Sequence, residues 1–400
     1  MINRMRTQPS GGLQDHTSTL SGLVPILRAR GEETEAVGRM PDATVTDFDD
    51  AGLFGTLVPQ VHGGSEIDLQ SYMDMIVEVG RGDGSAAWAL GILTGAAWMA
   101  AMLFPRDVVH NVFSAPGGRV ATVLSPRVIK AHEVTEGIWI ERGIWNFNSG
   151  VHHAQWNLLG FPLAKAQGAP EMQAALLPVY QCQILNDWDT FGLRGSGSTS
   201  VEVDDVFVPK SHVASLTAAM RGEYLSVHLD AVPLYRLPLV PFLATKLLFP
   251  SLGMAKAALE LALVSASRRG IPFTVYGRQD EAAVTHIQMA ESSAKIDAAE
   301  EILRNSIRAL MCHADRSSPM DIATRARLMR DAGFVNGLLW QAIDSLATSS
   351  GGTIAKNGNA LGRLWRDAKV ASLHGALNPT TNFELSGRVQ SHKDPQSWFL

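Results

Sequence analysis

The stretch that decides the fold is WDTFGLRGSGSTSVEVDDVFVP, at residues 188–209. Its second half is rich in β-branched and aromatic residues, which is typical of a strand, whereas the glycines and serines of its first half are typical of a turn. Four more short apolar runs, RVATVL, GIWIERGIWNF, NLLGFPL and QAALLPV, lie between residues 119 and 179. We therefore predict a small antiparallel β domain over residues 119–212.

Helical patterns lie on both sides of these runs. Residues 1–118 predict an N-terminal helical domain in which the apolar stretch 86–104, which contains glycines and tryptophans, is a buried core helix rather than a membrane span. Residues 213–242 mix aromatic, proline and charged side chains and predict a connection that covers a pocket. Residues 243–400 predict a C-terminal four-helix bundle, with an apolar stripe formed by Ile296, Ala299, Leu303, Ile307 and Leu310.

Composition narrows the functional class. The chain is 46% hydrophobic and 18% charged, with a formal net charge of -5, which argues against a nucleic-acid partner held by bulk electrostatics. Its two cysteines cannot form a disulfide framework, and the N-terminus is not followed by the apolar segment of a secretory signal. We expect a cytoplasmic protein that is not bound to a membrane.

Several familiar cofactor motifs are missing from the sequence. GSGSTS at 195–200 lacks the spacing of the G-x-G-x-x-G fingerprint, and there is no phosphate-binding loop or G-x-S-x-G elbow. His132 and Glu133 begin an H-E-x-x-H pattern, but Glu136 stands where the second histidine is needed. The sequence therefore predicts no metal site.

Several segments, in matching order, resemble the acyl-CoA dehydrogenase superfamily. These are AGLFGTLVPQVHGG (51–64), VEVGRGDGSAAW (77–88), ATVLSP (121–126), GIWNFNSGVHHAQW (143–156), 188–209, SLGMAKAALELALVSASRRGIPF (251–273) and SSGGTIAKNGNALGRLWRDAKVASLHG (349–375). The resemblance implies an α+β fold with an N-terminal helical domain, a central antiparallel β domain and a C-terminal four-helix bundle, assembled as a homotetramer.

Two details favour one branch, the two-component flavin-dependent monooxygenases. SGVHHAQW and GLRGSGS look more like these oxygenases than like dehydrogenases. In addition, His374 stands where the resembled dehydrogenases carry the glutamate that removes an α-proton, and KLLFPSLGM, at the alternative position, has no carboxylate. His374 is therefore expected to act on protons of the substrate or of the peroxide.

The resemblance also implies the cofactors and the partner. Reduced flavin, FADH2 or FMNH2, reacts with O2 to give a C4a-hydroperoxide that transfers oxygen to a small-molecule substrate. Since no reductase module is visible, the reduced flavin is expected from a separate NAD(P)H-dependent reductase. The protein must then exclude water from the site.

Other positions are candidate flavin contacts. By resemblance, Ser149 lies close to flavin N5, the alternative being a turn serine. Ser125 either bonds flavin or substrate or simply ends a strand. The group Arg194, Gly195, Ser196 and Ser198 offers phosphate-binding chemistry, the alternative being a hairpin turn with a solvated arginine. Arg268 and Arg269 either reach a neighbouring subunit's cofactor or end a solvated helix.

Substrate contacts are expected from Trp98, His153, Trp156 and Tyr235. Some resembled hydroxylases hold a phenolate with a histidine on the second N-terminal helix, a region that here has Trp98 and no histidine. We expect hydroxylation of an aromatic or heteroaromatic compound, and natural-product biosynthesis is one setting for such a reaction. N-oxygenation of an amine or amino sugar, S-oxidation, acyl-CoA dehydrogenation and non-enzymatic ligand binding remain alternatives.

Overall fold

The computed structural model describes residues 13–114, 117–165, 170–224, 227–315, 319–397 and 399–400, and the first part of the chain is helical. Its helices are α1 (Leu13–Val37), α2 (Asp42–Asp50), α3 (Leu69–Gly82), α4 (Gly84–Leu103) and α5 (Arg106–Ser114). Asp68 and Asp83 cap α3 and α4 by accepting hydrogen bonds from backbone N–H groups of the first turn. All residues of α4 except Ile92 are buried, as predicted for a core helix.

Two four-stranded sheets form the middle of the chain. The strands are β1 (Val120–Val123), β2 (Val128–Val134), β3 (Gly137–Trp145), β4 (Trp156–Leu163), β5 (Glu171–Pro178), β6 (Gln183–Ile184), β7 (Val201–Pro209) and β8 (Val213–Ser215). Their orders are β1-β4-β5-β8 and β2-β3-β7-β6, and every pair is antiparallel except the parallel pair of β1 and β4. The fully buried Trp145 joins the sheets by donating from Nε1 to the Gly160 carbonyl at 2.7 Å.

The last part of the chain is helical again. After the short α6 (Leu216–Met220) come α7 (Leu239–Lys246), α8 (Phe249–Ala266), α9 (Ala283–Ala314), α10 (Ile322–Ser349), α11 (Ala360–Ser372) and α12 (Pro379–Gln390). Helix α10 packs against α8, α9, α11 and α12, and the predicted stripe of α9 is buried. The structure thus confirms the expected order of helices, sheets and helical bundle.

Two helical stretches, Gly84–Leu103 and Leu239–Ala266, are long and apolar enough to span a membrane by length and composition alone. In this fold 94% of the most apolar window of the first stretch and 67% of that of the second are buried inside the protein. Helix α8 packs against α3, α10 and α11. The apolar composition of both stretches therefore corresponds to core packing between the N-terminal and C-terminal helices.

Candidate active site

Three serine hydroxyls form a hydrogen-bonded chain where the β domain meets α4. The Ser149 and Ser198 oxygens are 2.6 Å apart, and so are those of Ser198 and Ser196. At one end the indole Nε1–H of Trp88 donates to Ser149 at 3.2 Å, and at the other end Ser196 donates to the Leu193 carbonyl at 2.6 Å. All three serines are buried.

The two ends of this chain fix its direction. The indole of Trp88 can only donate and the carbonyl of Leu193 can only accept, so each hydroxyl between them must donate toward Leu193. Ser149 therefore gives its proton to Ser198 and accepts from Trp88, which leaves one lone pair on its oxygen. The site presents an acceptor at Ser149, not a donor.

A tight turn holds the serines in place. Residues Arg194–Ser196 form a 3-10 turn between Leu193, with φ of 50°, and Gly197, with φ of 55°. A Cβ on Gly195 would overlap the methyl group of Thr34 in α1, so only glycine allows the turn to pack so closely on the N-terminal helices. Gly195, which was predicted as a phosphate contact, therefore has a packing role in this turn.

Asp367 of α11 anchors the same turn from the C-terminal bundle. Its carboxylate accepts from the Leu193 N–H at 2.6 Å and from the Ser85 hydroxyl at 3.1 Å. Burial first, and then the charge of Asp83, raise the pKa of Asp367 to about 7. This carboxyl thus joins α11, α4 and the serine turn.

His374 also lies beside Trp88, with the two ring centroids 5.8 Å apart. Its Nδ1 accepts the Ala376 N–H at 3.2 Å, so the neutral ring carries its proton on Nε2. The residue is exposed in this chain. Although part of the residue is exposed, the protein atoms around its ring desolvate it, and this effect, followed by the charge of Lys246, lowers the pKa of His374 below its ordinary value. His374 is therefore a neutral hydrogen-bond donor near pH 7.

The arginines predicted to contact flavin have mostly internal partners. Arg194 donates to the carbonyls of Glu35 and Thr190, at 3.1 and 2.9 Å, and to the Asp189 carboxylate. Arg269 donates to carbonyls at the end of α10, including that of Ser349 at 2.5 Å, and so caps that helix. Arg268, by contrast, is exposed. Phosphate binding by these residues stays a prediction, and of the three Arg268 is the one whose residue is exposed.

The polar atoms of Trp98 and Tyr235 bond backbone carbonyls rather than the serines. The fully buried Trp98 donates from Nε1 to the Leu234 carbonyl at 2.8 Å. The Tyr235 hydroxyl donates to the Leu57 carbonyl at 3.2 Å, and burial raises its pKa. These contacts hold the connecting segment onto the N-terminal helices, a packing role that occupies the polar atoms of both side chains.

The remaining predicted residues are spread around the β domain. Ser125 is exposed directly after β1. His153 ends a 3-10 turn that begins two residues after Ser149, and burial, followed by the charge of His152, lowers its pKa to about 4. Trp156 stacks on His212, with centroids 6.1 Å apart. Only His153 of this group lies on the same loop as the serine chain.

The polar groups at this site fit a flavin ring. Besides the lone pair of Ser149, the fully buried Asn148 has both side-chain amide atoms without a hydrogen-bond partner among the described residues. Unsatisfied buried amides are rare in folded proteins and call for an additional partner. The isoalloxazine edge carries both N–H donors and carbonyl acceptors. In the described residues no group of three or more His, Cys, Asp or Glu is placed to hold a metal ion.

Sequence reasoning did not single out three residues of this region. Trp88 stands in GSAAW and Asp367 in RDAK, both in segments that carried the resemblance, but neither has a pattern that marks it as a site residue. Lys246 has the only available signal, since it is the single charge within the apolar stretch 237–255.

Comparisons with known proteins agree with this geometry. Residues 26–106 match the N-terminal domain of acyl-CoA dehydrogenase, and residues 247–379 its C-terminal domain. The chain is 30% identical to the flavin-dependent monooxygenase oxygenase subunit HsaA of Rhodococcus jostii, covering 92% of this chain and 96% of that protein. It is 28% identical to the oxygenase component of the FADH(2)-dependent resorcinol hydroxylase of a Rhizobium strain, covering 90% of each.

Among solved structures, XiaF from Streptomyces in complex with FADH2 and glycerol superposes with a TM-score of 0.89 at 27% identity, covering 96% of both chains. The similarity thus includes all three parts of the fold and not only the helical domains. The chain belongs to the family of flavin-dependent monooxygenase oxygenase subunits, oxidoreductases built on the acyl-CoA dehydrogenase fold.

Proposed function

We propose that this protein is the oxygenase component of a two-component system that hydroxylates an aromatic or heteroaromatic small molecule. Relatives named as hydroxylases of resorcinol and of p-hydroxyphenylacetate support the aromatic substrate class. The observation that carries the site is the position of Trp88, hydrogen-bonded to Ser149 and packed against His374. An acceptor for the cofactor and a donor for the substrate thus both lie beside one indole.

Ser149 is proposed to face flavin N5. Because its own proton is directed to Ser198, its free lone pair would accept a hydrogen bond from the N5–H of reduced flavin. Holding that proton in place hinders its loss, which is the step that would release hydrogen peroxide instead of product. Burial of the three serines keeps bulk water away from this acceptor.

His374 is proposed to act on the substrate. Its neutral ring presents Nε2–H, which can donate to an oxygen on the aromatic ring and can pass a proton at that oxygen. Since its pKa is lowered, the imidazole stays neutral through the physiological pH range. A dehydrogenase needs a carboxylate here to remove an α-proton, and the nearby buried carboxyl of Asp367 is engaged by Leu193 and Ser85.

Reduced flavin, when bound, supplies the activation of O2 and the transfer of one oxygen atom. The relatives named with FADH2 favour FADH2 over FMNH2. A separate NAD(P)H-dependent reductase would deliver it. N-oxygenation and S-oxidation use the same cofactor chemistry, so the identity of the product distinguishes them from ring hydroxylation.

The protein is further proposed to be a cytoplasmic homotetramer. Large apolar side chains are exposed on the C-terminal part of this chain, including Leu263, Val264, Phe273, Val275, Phe334 and Phe383. Phe273 and Val275 are almost completely exposed, which is typical of a surface covered by another subunit. Light scattering after size exclusion should give the mass of four chains, and a monomer at micromolar concentration would contradict this assembly.

The hydroxylase proposal is tested by supplying FADH2 from an independent flavin reductase with labelled O2 and a panel of phenols and indoles. We expect one labelled oxygen atom on the ring of at least one compound. A panel of amines and thioethers serves as the parallel assay for the other oxygenations. If labelled oxygen appears only in hydrogen peroxide while acyl-CoA thioesters are oxidised, the chain is a dehydrogenase and the proposal is wrong.

A further inference from the structure

Two histidines from distant parts of the chain meet through their ring nitrogens. His62 ends a 3-10 turn, Gln60–His62, that packs on α5 and whose first N–H donates to the Glu66 carboxylate at 3.0 Å. His228 lies in residues 227–238, the part of the connecting segment that precedes α7. The two Nε2 atoms are 3.2 Å apart, and the ring planes cross at 86°. The contact therefore fastens the connecting segment to the N-terminal helical domain.

This hydrogen bond requires both rings to be neutral. One of the two facing nitrogens must carry the hydrogen and the other a lone pair. His62 is buried, and its Nδ1 has no hydrogen-bond partner among the described residues. A proton on that atom would be a buried donor without an acceptor, so His62 donates from Nε2 and His228 accepts. A second proton would either lie unpaired at Nδ1 of His62 or place two N–H groups against each other.

The charged neighbours of the pair also oppose a further proton. His110 of α5 has its ring centroid 6.2 Å from that of His62. Burial, followed by the charges of His228, His110 and Arg106, lowers the pKa of His62. Burial, followed by the charge of Arg106, likewise lowers the pKa of His228, although Asp230 acts in the opposite direction. The closed contact thus binds protons less readily than two free histidines.

The other attachments of this segment do not respond to pH in the same range. Six residues beyond His228, the Leu234 carbonyl accepts the indole N–H of the buried Trp98. The next residue, Tyr235, donates its hydroxyl to the Leu57 carbonyl, and burial raises the pKa of that phenol. Neither donor therefore changes its charge near neutral pH, and the histidine contact is the attachment that titrates.

We propose that His62 and His228 form an acid-released latch, which holds residues 227–238 on the N-terminal helical domain while both rings are neutral and opens when they take up protons. The latch goes beyond the proposed hydroxylase function and does not depend on it. Because a free histidine has a pKa of about 6.5 and the closed pair a lower one, closure is fully favoured above that pH and is lost as pH falls below it. Each proton taken up on opening changes the ratio of open to closed molecules by up to about tenfold per pH unit.

Hydrogen exchange read by mass spectrometry on the full chain tests the latch. Protection of residues 227–238 is compared with that of β7, after correction for the intrinsic effect of pH on amide exchange. Between pH 8 and pH 5.5, protection of the segment in the wild type should fall by about tenfold or more relative to β7. Strand β7 thus serves as the internal reference for general unfolding.

Three variants assign the response to the histidines. In the double variant His62→Gln and His228→Gln the two amides can still hydrogen-bond but take up no proton, so the response should disappear. His110→Gln leaves the bond intact and removes a like charge beside it, so the segment should open at a higher pH than in the wild type. This variant remains informative if the double variant fails to fold. His132→Gln, on the exposed side of β2, is the matched control and should respond as the wild type does.

Four results would overturn the latch. Protection of the segment in the wild type is the same at both pH values, or it falls only together with that of β7. Alternatively, the double variant responds as the wild type does, or His110→Gln fails to open at a higher pH. The measurement uses neither flavin nor substrate, so its outcome is separate from that of the hydroxylase assay.

Discussion

The indole of Trp88 donates to the oxygen of Ser149 at 3.2 Å, and through this bond it sets the orientation of a hydroxyl on a different domain. Trp88 is 5% exposed and lies in the core helix α4, which fixes the position of its ring. The ring of His374, from the C-terminal part of the chain, lies beside the same indole, with the ring centroids 5.8 Å apart. One side chain thus aligns the proposed flavin contact with the proposed substrate contact.

The first prediction concerns this alignment. Trp88→Phe keeps an aromatic ring beside His374 but removes the N–H that points at Ser149. A neutral hydrogen bond contributes about 0.5–1.5 kcal/mol, so we expect the ratio of hydroxylated product to hydrogen peroxide to fall by about 2- to 10-fold. Ser149→Ala should lower the ratio further. Both ratios are measured from limiting reduced FAD under excess O2.

Trp139→Phe is the matched control for that experiment. Its indole N–H also donates to a side chain, the Asp205 carboxylate at 2.9 Å, but on the outer sheet of the β domain. The ratio of hydroxylated product to hydrogen peroxide in this variant should equal that of the wild type. If Trp88→Phe also keeps the wild-type ratio of product to hydrogen peroxide, Ser149 needs no orientation by the indole.

The second prediction concerns His374. Replacing it with Ala should slow hydroxylation by about 10²- to 10⁴-fold, the range for a lost acid–base group, while the affinity for reduced FAD stays unchanged. His374→Gln keeps an N–H donor but cannot transfer a proton, so it should recover substrate affinity and not the rate. Single-turnover kinetics separate these two effects. If His374 has a purely structural role, its variants should instead keep the wild-type ratio of hydroxylated product to hydrogen peroxide.

The organisation of the fold was predictable because it depends on patterns that the sequence repeats many times. The alternating runs between 119 and 209 and the stripe from Ile296 to Leu310 each involve many residues, so tertiary context cannot easily override them. The parallel pairing of β1 and β4 was not predictable, since strand composition does not encode the direction of the partner.

The site was only partly predictable for a related reason. Ser149, Ser196 and Ser198 were candidates from the sequence, but their hydrogen bonds to one another were not predicted. The contacts of Arg194 and Arg269 likewise depend on carbonyls of Glu35 and Ser349, which are distant in the sequence. Likewise, no local pattern shows that the indole N–H of Trp98 bonds a backbone carbonyl, whereas that of Trp88 bonds the Ser149 hydroxyl. Such distinctions exist only in the assembled core.

The third prediction is that Lys246→Met stabilises the protein near pH 7. Replacing a buried, unpaired charge by an apolar side chain of similar length is expected to raise the free energy of unfolding, on the order of 1–3 kcal/mol. The folded-state pKa of about 7 lies below the ordinary value, so the folded protein binds fewer protons between these values and gains stability as pH rises from 7 toward 10.

The difference in free energy of unfolding between Lys246→Met and the wild type should therefore decrease as pH rises from 7 toward 10. Urea denaturation of both proteins at pH 7 and pH 9.5 measures it. If this difference in free energy stays constant, or if the variant is less stable than the wild type at pH 7, Lys246 is not an uncompensated charge.

The last prediction concerns Asp367, the carboxyl that joins α11 to the serine turn. Its folded-state pKa, raised to about 7 by burial and by Asp83, lies above the unfolded value, so its contribution to stability is fully present below about pH 4 and is lost as pH rises through 7.

Asp367→Asn mimics the protonated form: its Oδ1 can still accept the Leu193 N–H, and its amide can donate to the Ser85 hydroxyl. The free energies of unfolding, measured by urea denaturation, should therefore differ less at pH 5 than at pH 8, where the variant is favoured by on the order of 1–3 kcal/mol. Asp367→Ala, which leaves the Leu193 N–H without a partner, should be destabilised at both pH values. A variant-to-wild-type difference that is the same at pH 5 and pH 8 would mean that Asp367 is already ionised in the folded protein and that its bonds to the turn, rather than its protonation, set the stability of this junction.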